Sequence, residues 1–256
     1  MTKKIVAIGG DTGRTDGAKE PYDVEIVRLA GKENPNFLFL AHAQPFSLET
    51  QEDWFQYTVK IFGDKHGCNC RDLKINELDN KEKVQELIDW ADIIYEAGGN
   101  TLDMIKIWKE KGFDKILRKA WEDGKVMCGL SAGANCWFSE CSSDSLQILH
   151  GPDAPLIGME CLGFVDGFFV PHCDEPGRYE SVREILKDKN IVGLSMSNGA
   201  ALEVIDDKYR VITGDTSAKG FDAYGLKTYW KNGEYIEEKI EVSKEFKNFD
   251  ELLKTN

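Results

Sequence analysis

Gly129-Leu130-Ser131-Ala132-Gly133 directly follows the apolar run Val126-Met127-Cys128 and precedes Ala134-Asn135. A serine held on a sharp strand-to-helix turn needs neighbours without bulk, and glycines two residues to either side leave that room. Such a turn pushes the hydroxyl out at the end of a sheet. It also sets the amide of Ala132 beside the hydroxyl, where an N–H can stabilise an oxyanion. The five-residue pattern alone arises by chance in about one chain in twelve of this length, with Gly and Ser each at roughly 7%. Its context therefore matters: an apolar strand before it and small residues after it are what the motif demands. The sequence points to Ser131 as a nucleophile, against the plainer reading of a small-residue turn that lets strand and helix pack.

A serine nucleophile needs a base. The chain has four histidines, His42, His66, His150 and His172. His172 follows Phe168-Phe169-Val170-Pro171, and His42 follows Phe37-Leu38-Phe39-Leu40-Ala41. Both stand at the carboxyl ends of apolar strands, where sites gather in sheets of this kind. His66 lies among Asp64, Lys65 and Gly67, and His150 lies beside Gly151-Pro152. The residues leave His172 and His42 as candidates. A second oxyanion donor must come from another loop at the same edge. Ile93 to Thr101 offers a strand, the pair Gly98-Gly99, and a helix start capped by Asn100 or Thr101. Gly9-Gly10-Asp11-Thr12-Gly13 lacks the spacing of a phosphate-binding loop. It reads as a glycine-rich turn lining the same pocket.

Short apolar runs that alternate with helical patterns must position these groups. Strands are expected at Lys4–Ile8, Phe37–Ala41, Arg71–Ile75, Asp92–Tyr95 and Val126–Gly129. Helices are expected at Asp23–Ala30, Leu48–Phe62, Lys81–Trp90 and Thr101–Asp123, the last broken at Gly112. This alternation predicts a mostly parallel sheet with helices on both faces. Later runs at Gly163–Pro171, Ile191–Leu194, Ala201–Ile205 and Tyr209–Thr213 read as strands. Asn232-Gly233 marks a hairpin between Tyr224–Lys231 and Glu234–Ile240, and Phe246–Lys254 reads as a closing helix. The expected fold class is α/β, one domain over residues 1–256, with an antiparallel edge added late.

The net charge of −13 repels nucleic acid and anionic membranes. No apolar stretch is long enough to span a bilayer, and the run Ile5–Ile8 is too short for a signal peptide. A cytoplasmic location is expected. Seven scattered cysteines, Cys68-Asn69-Cys70 the one close pair, suit free thiols better than a disulfide framework. The spacing offers no metal site, and no cofactor is implied.

Gly98-Gly99-Asn100-Thr101, Gly129 to Asn135, Pro171-His172, Arg178 with Arg183-Glu184-Ile185-Leu186, and Val192-Gly193-Leu194 occur in this order. Together they resemble the peptidase E family of serine peptidases, which includes aspartyl dipeptidases and the related cyanophycinases. The family's fold is similar to the class I glutamine amidotransferase domain, whose elbow residue is cysteine where this chain has Ser131. The resemblance implies Ser131 as nucleophile, His172 as base, and the Gly99 and Ala132 amides as oxyanion donors, with Asn100 beside the substrate. It makes His42 a pocket-wall residue and Arg178 the ligand of a substrate's N-terminal acidic group. The family's acidic residue after the Val192–Leu194 strand falls at Ser197 in this register. Asp144 is taken as the orienting acid instead, with Asp174 and Glu175 also near His172 in sequence. The implied activity is hydrolysis of small peptides, dipeptides with an acidic N-terminus above all. The alternatives are a cyanophycinase-like or esterase activity, or a binding module without a triad acid. A homodimer is the assembly this reading admits.

Overall fold

The structure, a computed structural model, describes residues 1–12, 20–44 and 47–255. Gly13, the end of the expected glycine-rich turn, lies outside the described residues. In chain order the elements begin with β1 (Lys4–Ile8), α1 (Pro21–Leu29), β2 (Asn36–Leu40), α2 (Leu48–Thr58) and a π-helical turn (Val59–Gly63). There follow β3 (Asn69–Leu73), α3 (Lys81–Trp90), β4 (Ile93–Glu96), α4 (Thr101–Lys111), α5 (Phe113–Glu122), β5 (Val126–Leu130) and α6 (Ala132–Asn135). Next come β6 (Phe138–Ser143), α7 (Ser145–His150), β7 (Ile157–Glu160), β8 (Val165–Val170) and α8 (Arg178–Leu186). The chain ends with β9 (Gly193–Met196), β10 (Ala200–Ile205), β11 (Lys208–Thr213), β12 (Gly225–Lys231), β13 (Glu234–Ile240), β14 (Lys247–Asn248) and α9 (Phe249–Leu252).

Strands β1 to β5 are apolar at almost every position except in β3, because helices cover both faces of the sheet they form. Val6, Ile8, Phe37, Phe39, Ile93 and Cys128 pack on one side with Tyr22, Ile26 and Leu29 of α1. Ile5, Ala7, Leu38, Leu40, Ile94 and Met127 face the other side. There they meet Val84 and Leu87 of α3, Met104 and Trp108 of α4, and Leu117 and Trp121 of α5. The strand order is β14-β11-β10-β1-β5-β4-β2-β3. β1, β5, β4, β2 and β3 run parallel, and β10, β11 and β14 form the antiparallel edge. This is the expected α/β class.

The late strands do not all extend that edge. β13-β12-β9-β8-β6-β7 make a second sheet with a parallel centre, β6 beside β8 beside β9. Its inner residues Phe138, Phe169, Leu194 and Met196 join the core under the first sheet, while Phe168 and Val170 pack outward on Val182 and Leu186 of α8. The closing helix is short: α9 covers only Phe249–Leu252, capped by Asn248 Oδ1, which accepts from Glu251 N at 3.0 Å. Before it, Lys247–Asn248 pair with β11 instead of turning helical.

Candidate active site

The two sheets meet at the end of β1, and that junction assembles the site. Ser131 N donates to Ile8 O at 3.0 Å, and His172 N donates to Gly9 O at 3.2 Å. Two consecutive carbonyls of one strand end therefore carry the elbow on one side and the β8 end on the other. Four described non-glycine residues have positive φ: Ser131, His172, Asp206 and Asn232. Asp206 and Asn232 sit in the tight connections β10–β11 and β12–β13. Ser131 (φ 55°) and His172 (φ 51°) sit in no hairpin. Their left-handed backbone is the kind of strain that surrounding structure must enforce, and it collects at functional sites.

The flanking glycines have a measurable reason. A Cβ on Gly133 would stand 2.0 Å from Glu96 O, and one on Gly129 would stand 2.4 Å from the same oxygen. The elbow rests directly on the backbone at the end of β4. Ser131 O accepts from Ala134 N at 2.9 Å and Asn135 N at 2.8 Å, which starts α6 at once. The Gly98-Gly99 loop lies alongside: a Cβ on Gly98 would be 3.4 Å from Ser131 Cβ. Gly99 has φ 140°, and a side chain there would strike Ala43 O at 2.2 Å. The 42–44 segment holds this loop in place. Asn100 N donates to Ala43 O at 2.8 Å, and Gln44 Nε2 donates to Gly98 O at 3.1 Å. Ala43 N in turn donates to Glu96 Oε1 at 3.0 Å. Glu96 is wholly buried, and burial pushes its carboxyl up to about 8 against the lowering effect of backbone N–H groups at Ala43, His42 and Ala97. Its second oxygen, Oε2, is buried without a hydrogen-bond partner among the described residues.

On the other side of the pair, His172 Nδ1 lies 2.8 Å from Asn198 Oδ1. Asn198 N donates to Asp174 Oδ1 at 2.6 Å, and Asn198 Nδ2 donates to Asp174 Oδ2 at 3.0 Å and Glu175 Oε1 at 3.3 Å. Gly10 makes room for the contact, since a Cβ there would stand 2.0 Å from Asn198 Oδ1 and 2.4 Å from His172 Nδ1. Ser197, expected at the acidic position, points elsewhere: its hydroxyl donates to Asn198 O and accepts from Tyr224 N.

Three expected residues sit differently from the expectation. Asp144 does not face His172; its Oδ2 accepts from Arg178 Nη2 at 2.8 Å. It is held there because β6 ends at Ser143 and α7 starts at Ser145, whose hydroxyl accepts from Leu102 N of α4. Asn100 keeps its side chain for the start of α4: Oδ1 accepts from Asp103 N at 3.0 Å and Nδ2 donates to Asp103 Oδ2 at 2.9 Å. It positions the Gly99 loop. His42 is a fully buried interior residue. Trp108 Nε1 donates to His42 Nδ1 at 2.9 Å, which leaves the proton on Nε2 to reach Leu73 O at 2.7 Å. Burial drives His42 down to about 4, so it is a neutral core imidazole. Arg178 is buried at the first turn of α8, with its Nη1 buried and without a hydrogen-bond partner among the described residues.

Comparison with known families identifies the family. Residues 5–212 match the model of peptidase family S51. The chain belongs to this family. It is a serine-type peptidase. Among relatives, an uncharacterized peptidase of Bacillus subtilis, YgaJ, is 31% identical over 222 residues, covering 86% of this chain and 91% of its own. Peptidase E of Streptomyces coelicolor is 27% identical over 171 residues, 62% of this chain and 67% of its own. A crystal structure of a peptidase from an acI-B1 Actinobacterium superposes with a TM-score of 0.71 at 19% identity, over 97% of this chain and 98% of that one. The fold is shared across that distance. In this S51 peptidase no helix among the described residues is long and apolar enough to cross a membrane.

The residue that sequence reasoning missed is Asn198. No local spacing signals it, since Asn198 meets His172 across 26 residues of chain.

Proposed function

We propose that this peptidase hydrolyses small peptides with an N-terminal acidic residue, dipeptides among them, through an acyl-enzyme on Ser131. His172 takes the proton of the Ser131 hydroxyl through Nε2, the ring nitrogen left free when Nδ1–H donates to Asn198 Oδ1. Ser131 Oγ attacks the scissile carbonyl. The amides of Gly99 and Ala132 bind the oxyanion, His172 protonates the leaving amine, and water then clears the ester. Arg178 receives the acidic group. Its Nη2 is held by Asp144, and its Nη1 is buried with no hydrogen-bond partner among the described residues, so that donor serves a carboxylate once the side chains covering it move aside.

The observation that carries this reading is the pinning of Ser131 and His172, both with positive φ, to the consecutive carbonyls of Ile8 and Gly9. The test is a substrate panel run on the wild type and Ser131→Ala. Asp-X and Glu-X dipeptides are expected to turn over, with neutral X-X dipeptides, β-linked Asp-Arg and p-nitrophenyl acetate much poorer. Preferential cleavage of β-linked Asp-Arg or of the ester would replace the proposed substrate class. Unchanged turnover in Ser131→Ala would remove the mechanism.

A further inference from the structure

An amide occupies the nearest place on His172 Nδ1, where serine hydrolases usually set a carboxylate; Glu175 Oε1 stands further off at 3.4 Å, and the Asp174 carboxylate one link behind the amide. Asn198 has both ends of its side chain engaged. Oδ1 faces His172 Nδ1, while Nδ2 lies between Asp174 Oδ2 and Glu175 Oε1. Turning the amide over would set Oδ1 against two carboxylates and Nδ2 against the imidazole, so the network admits one orientation. Asp174 fixes it in two ways, since its other oxygen accepts the backbone N–H of the same residue at 2.6 Å.

We propose that Asp174 is a positioning residue for His172, acting through Asn198 in a chain Ser131–His172–Asn198–Asp174; this rests on the reading of Ser131 and His172 as nucleophile and base. The carboxylate orients the amide, the amide accepts from Nδ1–H, and the imidazole keeps Nε2 for the serine proton. When the imidazolium forms, its Nδ1–H donates into an amide already polarised by the carboxylate behind it. Glu175 is a lesser member. Its Oε1 lies 3.4 Å from His172 Nδ1, beyond the amide oxygen at 2.8 Å, its contact with Nδ2 is longer than that of Asp174, and its side chain is 46% exposed, so solvent screens its charge. The same geometry explains why position 198 is an amide. Asn198→Asp would remove the donor shared by two carboxylates and put a third carboxylate against them, and three neighbouring carboxylates do not all ionise.

The test is a charge swap. Asn198→Asp, Asp174→Asn, the double variant Asn198→Asp/Asp174→Asn, and Glu175→Gln are compared by the rate at which a fluorophosphonate probe labels Ser131. The ring tautomer of His172 is followed by 15N NMR. In the double variant the new amide donates to the new carboxylate, and its carbonyl oxygen still accepts the backbone N–H of residue 198. Each single change at 198 or 174 is expected to slow labelling about tenfold or more, and the double variant to return to within about threefold of wild type. Glu175→Gln is expected to change the rate less than threefold. The Nδ1–H tautomer should persist in the wild type and the double variant and give way to a mixture in Asp174→Asn. Additive losses in the double variant, or an unchanged tautomer and rate in Asp174→Asn, would overturn the assignment of Asp174 alone. A wild-type Ser131 that takes no label would instead overturn the catalytic reading beneath it.

Discussion

Gly133→Ala tests how tightly the elbow is seated. The added methyl would stand 2.0 Å from Glu96 O, 2.5 Å from Glu96 C and 2.9 Å from Ala97 O. All three are backbone atoms at the end of β4, so no side chain can swing away. Ordinary contact begins near 3.4 Å, so the turn carrying Ser131 must lift from the strand by roughly 1 Å. Overpacking of this kind costs about 1–3 kcal/mol of stability. Displacing a catalytic group by about 1 Å costs about a hundredfold in rate. The variant is therefore expected to melt several degrees lower and to lose about two orders of magnitude in fluorophosphonate labelling of Ser131. Gly31→Ala is the control. Gly31 also has a left-handed backbone (φ 66°), but no atom lies within 4 Å of a Cβ there. It should lose only about 1–2 kcal/mol and label at the wild-type rate. If Gly133→Ala melted and labelled like wild type, the close seat of the elbow on Glu96 would be wrong.

Three further predictions follow from buried and charged groups. His42 falls to about 4 when folded, from 6.5, so the unfolded chain takes up its proton first as pH drops. That part of the stability is complete above pH 6.5 and lost toward pH 4, by about 3 kcal/mol. In urea titrations at pH 7 and pH 4.5, His42→Gln should lose about that much less than wild type; equal losses would refute the neutral core histidine. Glu96 is raised from 4.5 to about 8, so its contribution is intact below pH 4.5 and lost as pH rises toward 8. The stability of Glu96→Gln relative to wild type should therefore grow by roughly 3 kcal/mol between pH 5 and pH 8, and a pH-independent difference would show that Glu96 is ionised in the fold. Arg178→Met should lower kcat/KM for an Asp-X dipeptide by about a hundredfold. It should leave cleavage of neutral peptides nearly unchanged, and equal losses on both would remove Arg178 from substrate selection.

The parallel sheet was legible because its strands are continuous apolar runs between helical patterns, as in Phe37 to Ala41 and Val126 to Gly129. Four strands of the second sheet, β8, β9, β12 and β13, lie on expected runs, but its separation from the first sheet and its strands β6 and β7 were not legible. β6 reads Phe138-Ser-Glu-Cys-Ser-Ser, and only Phe138 and Cys141 join the hydrophobic core, while the buried Ser142 and Ser143 give no apolar signal. The elbow was legible because its chemistry is local: five consecutive residues carry the turn, and their glycines answer one close contact with β4. The group on His172 was not local. Asn198 reaches it across 26 residues, where β1, β8 and β9 converge, and no spacing rule carries that information. Asp144 and Arg178 were each visible as polar residues worth naming. Their mutual contact across 34 residues depends on where β6 ends against α8, which the sequence does not encode by pattern.

The most direct measurement is peptide mapping by mass spectrometry after treatment with a fluorophosphonate. The account predicts one adduct on the peptide carrying Ser131, absent in Ser131→Ala and formed at least about a thousandfold more slowly in His172→Ala. An unmodified Ser131 in an enzyme that still cleaves Asp-X dipeptides, or labelling indifferent to His172, would contradict it.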